Sequence, residues 1–375
     1  MKFTVSSKTL LSALTLTGKA ITKSVVPITE NYLLSITKDK CRITGTNLEI
    51  FISKEIELQS DIELLLCLPA KKLLDLFKKM TGDHPVTFEI KEVPAKGKEP
   101  FTYNVKIIYS SGSCSFAGEQ GKMFPSMPEP GESVIKLDSE SLLNGISKTA
   151  FIVDPNINKP GLSKALIDIT KTDVKLVSCD VRVLSAAQIS EGEFDAKQLL
   201  ISKTGLDTIG SINLKGEIEL SYTERDIVIT SPDSFSISCR IYDEKYPNYV
   251  PIIPKNCDKL MTVDISELSS AIQRVALFGN TSVPRINFEF VSGVFTISTF
   301  NIDLDEHAKE EVHCAYTGED FKMGLVGSQI VNLLSKMNSA DAYFGFSSLD
   351  KPAVIRETDD AESPNVMLAM PVMTE

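Results

Sequence analysis

Tryptophan is absent and histidine nearly so: the 375-residue chain has only His84, His307 and His313. None of the three stands in an HExxH or comparable metal-ligand spacing. The seven cysteines are odd in number and scattered (41, 67, 114, 179, 239, 257 and 314), with no CxxC pair. That excludes a disulfide framework and a zinc site, and it reads as reduced, buried thiols of a cytoplasmic protein. There is no phosphate-binding GxxxxGK[ST] loop, no GxGxxG and no nucleophile elbow. His313 and Cys314 are neighbours on a strand-like run, so their side chains point to opposite faces and make no nucleophilic dyad. No apolar run approaches the ~20 residues of a membrane-crossing helix. The opening MKFTVSSKTLL is a strand pattern, not the apolar core of a leader. Carboxylate pairs such as Glu306/Glu310 and Asp359/Asp360 read as solvated charges. The expectation is therefore a non-enzyme, with no catalytic residue, no metal and no cofactor.

What the chain does have is a repeat. FTVSSKTLLSALTLTGKAI, IKLDSESLLNGISKTAFIV and MTVDISELSSAIQRVALFG each run from a short β pattern through Ser or Asp into an amphipathic helix. The anchors Val5, Leu137 and Val263 stand 132 and 126 residues apart. A period that long is a small domain, not a solenoid unit. With 42% apolar residues each third can bury its own core, and 24% charged residues is ordinary for a globular protein. A second repeated feature is a pair of β runs meeting at Thr46-Asn47-Leu48-Glu49, Cys179-Asp180-Val181-Arg182 and Phe300-Asn301-Ile302-Asp303. Asn or Asp there suits a tight turn, because its side chain bonds nearby backbone. A second helix follows in each third, in LPAKKLLDLFKKM, FDAKQLLISKTGLDTI and GSQIVNLLSKM, with small polar or acidic residues expected as N-caps. The Pro-rich joints MFPSMPEP and YPNYVPIIPKN place the domain boundaries at 1–125, 126–250 and 251–375. Each third is α+β, with two helices packed on mostly antiparallel strands.

The net charge is −11, but it is unevenly spread. The six helix candidates (7–23, 70–80, 138–151, 195–210, 264–279 and 328–337) hold twelve basic and seven acidic residues, a net +5, which leaves −16 for the rest. One reading is that Lys simply favours exposed helix faces while acids favour loops. The other is that the helices form a positive surface inside an acidic body, able to hold a phosphate backbone without reading sequence.

Four stretches decide between them by resemblance: MKFTV with its helix and VPITENYLLSI, then ITGTNLEI, YPNYVPIIPKN, and the terminal VMLAMPVM. In this order and spacing the chain resembles, over its whole length, the bacterial DNA polymerase III β subunit, the sliding clamp. The resemblance implies three domains of the DNA-clamp fold and a ring-shaped head-to-tail homodimer, with helices lining the hole and strands forming the shell. Double-stranded DNA would thread the hole without sequence preference. The replicative polymerase, an ATP-driven clamp loader and repair factors would dock through short linear motifs, making the ring a processivity factor. Two alternatives stay open: a clamp-like peptide-docking scaffold that does not efficiently encircle DNA, supported by the sparse basic residues of the last third's helices, and an enzyme with an unrecognised site.

The resemblance also assigns residues. The DNA-facing set would be Lys19, Lys23, Lys71, Lys72, Lys78, Lys79, Lys148, Lys197, Lys203, Arg274 and Lys336. Lys23 stands one position from a basic site of the family that Ser24 fills here. A peptide pocket between the second and third domains would use Leu162, Cys179, Val181, Arg182, Val183, Leu184, Pro247, Ile252, Leu368, Met370, Pro371 and Val372. Without the resemblance these read as ordinary core at a domain joint. The family's Gly, His and Arg are replaced by Val181, Arg182 and Val183, and its Arg near the C-terminus by Met373. A preference for more apolar, less acidic peptides is expected to follow. Phe116 would meet Leu277 and Phe278 of a second copy across the ring joint.

Overall fold

The computed structural model describes residues 1–60, 62–94, 101–156, 158–280 and 284–372. The three repeated openings are present. Strands Lys2–Ser6, Ser133–Asp138 and Lys259–Asp264 run directly into helices α1 (Ser7–Thr17), α3 (Ser139–Thr149) and α5 (Ile265–Ala276). Their anchors Val5, Leu137 and Val263 are all buried. Ser6 Oγ accepts from the Thr9 amide at 3.2 Å and Asp264 Oδ1 from the Glu267 amide at 2.8 Å, so each opens its helix by satisfying an orphan donor. The second helices are α2 (Ala70–Lys78), α4 (Lys203–Gly210) and α6 (Gly327–Leu334).

Two expectations about the second helices need correcting. α2 and α6 follow Pro69 and Val326 and have no side-chain cap. The continuous strands Leu64–Pro69 and Phe321–Val326 feed straight into them, so the entry is set by the sheet. The run beginning at 195 is not helical until Lys203. Residues Lys197–Ser202 are a strand paired along Lys164–Ile169, with Leu199, Leu200 and Ile201 all buried. Three consecutive apolar residues fit a buried strand as well as a helix, and periodicity alone does not separate them.

By its contacts the chain divides into two compact units, residues 1–140 with 204–242, and residues 141–203 with 243–375. The middle third contributes strands to both. In the first unit a 13-stranded sheet forms where Phe235–Arg240 pairs antiparallel with Ile50–Glu57, Ile237 opposite Ile52. In the second, a nine-stranded sheet forms where Val183–Glu191 pairs with Val366–Ala369, Leu184 opposite Leu368, and a separate four-stranded sheet accompanies it. The first unit's core stacks Phe3 on Phe88 at 4.5 Å and brings in Phe77 of α2 at 6.4 Å. The second unit's core stacks Phe290 between Phe295 at 4.6 Å and Tyr316 at 4.1 Å. Fully burying one such side chain contributes about 1.5–3 kcal/mol; Phe77 binds helix to sheet in the first unit, and Phe290 with Tyr316 binds the two sheets of the second.

Cysteine placement is mixed. All seven thiols are free, but only Cys41, Cys67 and Cys239 are buried; the other four are half-buried. Burial pushes the Cys41 and Cys239 thiols up to about 12, which keeps them protonated.

The joint YPNYVPIIPKN is anchored from beneath. Tyr246 and Tyr249 are buried, and the Tyr249 hydroxyl donates to Asp168 Oδ2 at 2.7 Å. Burial and the facing carboxylate together raise the Tyr249 pKa, so the phenol stays a donor. Replacing Tyr249 with Phe removes that donor and leaves a buried carboxylate oxygen short of a partner. A loss of about 1–3 kcal/mol is expected in urea unfolding; an unchanged midpoint would show that the joint is held by packing alone.

Candidate functional site

The repeated turn is built as its sequence suggests. Asn47 Oδ1 accepts from the amides of Glu49 and Ile50, at 3.1 and 2.8 Å. Asp180 Oδ1 accepts from Arg182 and Val183, at 2.9 and 2.7 Å, and Asn301 Oδ1 from Asp303 at 3.2 Å. In the first two copies the next residue is forced into left-handed backbone, Leu48 at φ 77° and Val181 at φ 81°. A β-branched side chain is rarely found there, and such a residue costs of order 1–3 kcal/mol.

Around the second copy, the second unit brings several of the residues expected at the pocket near one another. Val183 and Leu184 face Ala369 and Leu368 across the strand pair, and the Met370 amide donates to the Arg182 carbonyl at 2.7 Å. Val372 is tied to Gly324 at 2.8 Å, so Met370, Pro371 and Val372 run past the turn. The short helical turn Pro160–Ser163, which carries Leu162, packs its Gly161 onto the Lys245 carbonyl where a Cβ would stand only 2.3 Å away. Leu162, Val183, Leu184 and Leu368 are buried. Cys179, Met370, Pro371 and Val372 are half-buried, while Val181, Arg182, Pro247 and Ile252 are exposed. Burial also raises the Cys179 thiol, so this wall is neutral and apolar, with Arg182 its cation. Met373 lies outside the described residues.

The basic residues separate into free and engaged. On α2 the buried residues Ala70, Leu73 and Phe77 mark one face, and helical geometry puts Lys71, Lys72, Lys78 and Lys79 on the opposite one, all exposed, with Asp75 among them. Lys23 is exposed as well. Lys19 donates to the Ser211 carbonyl, and Lys203 to the Ala150 carbonyl at 2.8 Å. Arg274 forms a bidentate pair with Glu310, which holds that carboxyl below its usual range. Lys336 sits 5.6 Å over the Phe151 ring. Lys197 is on a strand, contrary to its expected place on a helix.

Lys148 is a further correction: it is 4% exposed and paired with Glu357 at 2.5 Å. Glu357 in turn accepts from the Asn338 amide at 2.6 Å, and Asn338 Nδ2 donates to Asn144 at 3.0 Å. Lys148 is therefore a staple between α3 and the segment after α6, not a cation offered to solvent.

Phe116 is half-buried on the strand Gly112–Gln120. That strand pairs with Thr102–Tyr109 along its length, but with Leu64–Pro69 only through Glu119 and Gln120. Among the described residues its first part has an open edge. In the second unit, Leu277 and Phe278 are 79% and 45% exposed just past α5. Sequence reading missed their neighbours Phe300, Ile302 and Leu304, exposed by 54%, 73% and 65%. The Asn280–Asp303 hydrogen bond at 3.1 Å ties the two stretches together. The alternation in FNIDLD was the available signal, but it had been absorbed by the turn. Next to them, Glu306–Glu311 is one of the two outer strands of the four-stranded sheet.

Among the described residues no group of three or more His, Cys, Asp or Glu is arranged to hold a metal ion, and no helix is long and apolar enough to cross a membrane.

The fold is that of a DNA sliding clamp. The crystal structure of the DNA polymerase sliding clamp from Pseudomonas aeruginosa with ligand matches over 100% of both chains, with a TM-score of 0.90 at 21% identity. That of the DNA polymerase III β subunit from Thermotoga maritima matches over the same span with a TM-score of 0.86 at 19% identity. The β sliding clamp of Pseudomonas putida is 23% identical over 379 aligned positions, covering 99% of this chain and 100% of the relative. Family models for the DNA polymerase III β subunit match at the N-terminal domain (residues 1–102) and the C-terminal domain (residues 251–371), together more than half of the chain. The chain belongs to the DNA polymerase III β subunit family.

Two outcomes follow from this geometry. Val181→Gly releases the left-handed strain and is expected to stabilise the protein by about 1 kcal/mol, net of the glycine's greater unfolded freedom, as read from the urea midpoint. Lys148→Met leaves Glu357 partly buried without its partner and is expected to cost about 3 kcal/mol on the same assay. An unaltered midpoint for Lys148→Met would return that lysine to the surface set.

Proposed function

We propose that the protein is a DNA sliding clamp, a non-catalytic processivity factor of the cytoplasm. Two copies close head-to-tail into a ring around duplex DNA. The observation that carries this reading is the full-length match to clamps of a chain whose three strand–helix openings repeat one domain. The thirds 1–125, 126–250 and 251–375 are the repeating domains, and the unit division reflects how the middle one shares its strands. Lys71, Lys72, Lys78 and Lys79, with Lys23, supply the principal phosphate attraction; Lys19, Lys197, Lys203, Arg274 and Lys336 add to it from engaged positions. Weak, sequence-independent attraction suits a sliding ring, because tight contacts would act as a brake. The acidic remainder of the surface keeps DNA off the outside.

The ring joint brings the open edge of Gly112–Gly118 to Glu306–Glu311 of a second copy, which hides two strand edges at once. Phe116 meets Leu277 and Phe278 there, and Phe300, Ile302 and Leu304 belong to the same apolar patch. The pocket around Val181, Met370 and Pro371 takes the short hydrophobic motifs of the polymerase, the clamp loader and repair factors.

Retention on nicked circular DNA, measured at raised salt with a clamp loader supplied, tests the enclosure. Retention on the circle with loss after linearisation is expected. Equal, salt-sensitive loss from both forms would instead make the protein a peptide-docking scaffold. Phe278→Asp is expected to halve the mass in solution to that of one chain, and an intact dimer would remove Phe278 from the joint. Replacing Lys71, Lys72, Lys78 and Lys79 with Ala should lower the salt slope of DNA binding by up to about 3.6, since each phosphate contact contributes roughly 0.9. On a peptide array, apolar motif variants should bind better than acidic ones; the reverse ranking would show that Arg182 governs the pocket.

A further inference from the structure

A second cavity of about 460 Å³ lies in the second unit, lined by residues that have no part in the pocket above. Its floor crosses four antiparallel strands. Arg356 stands opposite Tyr343, Tyr343 opposite Thr262, and Thr262 opposite Ala315, so these four side chains form one row on one face of the sheet. The adjacent row has Gly345, Leu260 and Thr317. Small residues in both rows make the depression. Its walls are the extended segment Pro254–Cys257 and the loop 358–361. Gly345 lets the first wall lie down on the sheet, because a Cβ there would stand 2.9 Å from Cys257 Cβ and Sγ.

The charges in this groove are sorted by depth. Arg356 is half-buried, and its buried Nε finds no acceptor in the protein. Burial lowers its pKa, only partly offset by Cys257, Asp360 and Glu362, so its charge is incompletely compensated. Lys255, Asp359 and Asp360 are exposed at the mouth, where solvent screens them, and Asp360 Oδ1 already accepts from the Glu362 amide at 2.9 Å. The interior thus presents one under-satisfied guanidinium beside the phenol ring of Tyr343 and the 52% exposed side chain of Leu260. A planar fork of donors next to apolar surface is suited to a carboxylate carried on a hydrophobic body. The volume falls in the range of small-molecule sites.

We propose that this groove binds a small amphiphilic monocarboxylate, its carboxylate received by Arg356 and its apolar body lying between Leu260 and Tyr343. The site is separate from the peptide pocket and does not depend on ring closure.

The test is a ligand-observed NMR titration of the full chain with 4-phenylbutyrate and its neutral counterpart 4-phenylbutanol. Saturable binding of the acid is expected, with the alcohol at least about tenfold weaker. Arg356→Gln should reduce the acid to the affinity of the alcohol. Leu260→Glu, at an exposed position that leaves the core intact, should abolish binding of the acid by repulsion and lost apolar contact. Equal affinity for acid and alcohol would overturn the proposal, as would binding of the acid that survives both substitutions, or no saturable binding at millimolar concentration.

Discussion

Strand pairing across domain limits is the constraint on which the rest of this structure depends. An isolated third would expose the edges of its sheets, and an exposed edge invites uncontrolled association. The middle third resolves this by giving Phe235–Arg240 to Ile50–Glu57 and Val183–Glu191 to Val366–Ala369. The same pairing places the Cys179–Leu184 turn beside Met370, so the docking pocket proposed there would be a by-product of how an edge was closed. Among the described residues, two of the edges that remain open, at Gly112–Gly118 and Glu306–Glu311, are those our reading joins between copies.

Much of this was legible in the sequence because repetition multiplies weak local signals. One Ser or Asp before an amphipathic run is a modest cue; three at similar spacing define a domain. The Asx turns at Asn47, Asp180 and Asn301 were legible for the same reason. What was not legible depended on tertiary neighbours. Leu199, Leu200 and Ile201 belong to a strand because Lys164–Ile169 lies beside them, and nothing in the run itself says so. Lys148 looks like any helix lysine until Glu357, some two hundred positions away, takes its charge. The patch at Phe300, Ile302 and Leu304 was hidden because its alternation served equally well as a description of a turn.

The cations show why a residue count is a poor guide to a charged surface. On α2 four lysines share the face opposite the core and remain exposed. Elsewhere the same residue type caps a carbonyl, covers a ring or neutralises a carboxylate. A pair such as Arg274–Glu310 keeps its cation in place but cancels its field beyond a few ångströms. The effective positive surface is therefore narrower than the helix composition suggests, and it is concentrated in the first unit.

The sharing of strands also imposes an order of events on a chain made from its N-terminus. The first unit's sheet closes once residue 240 has emerged, when Phe235–Arg240 can reach Ile50–Glu57. The strand Val183–Glu191 is made earlier than that, yet its partner Val366–Ala369 comes about 175 residues after it. At ordinary elongation rates that is a wait on the order of ten seconds or more, during which one edge of this strand stays open while its other edge pairs with Asp173–Cys179. Ile50–Glu57 waits a similar stretch, about 178 residues, for Phe235–Arg240, so each unit is open at one strand edge during synthesis and a chaperone that shields strand edges would act on each in turn.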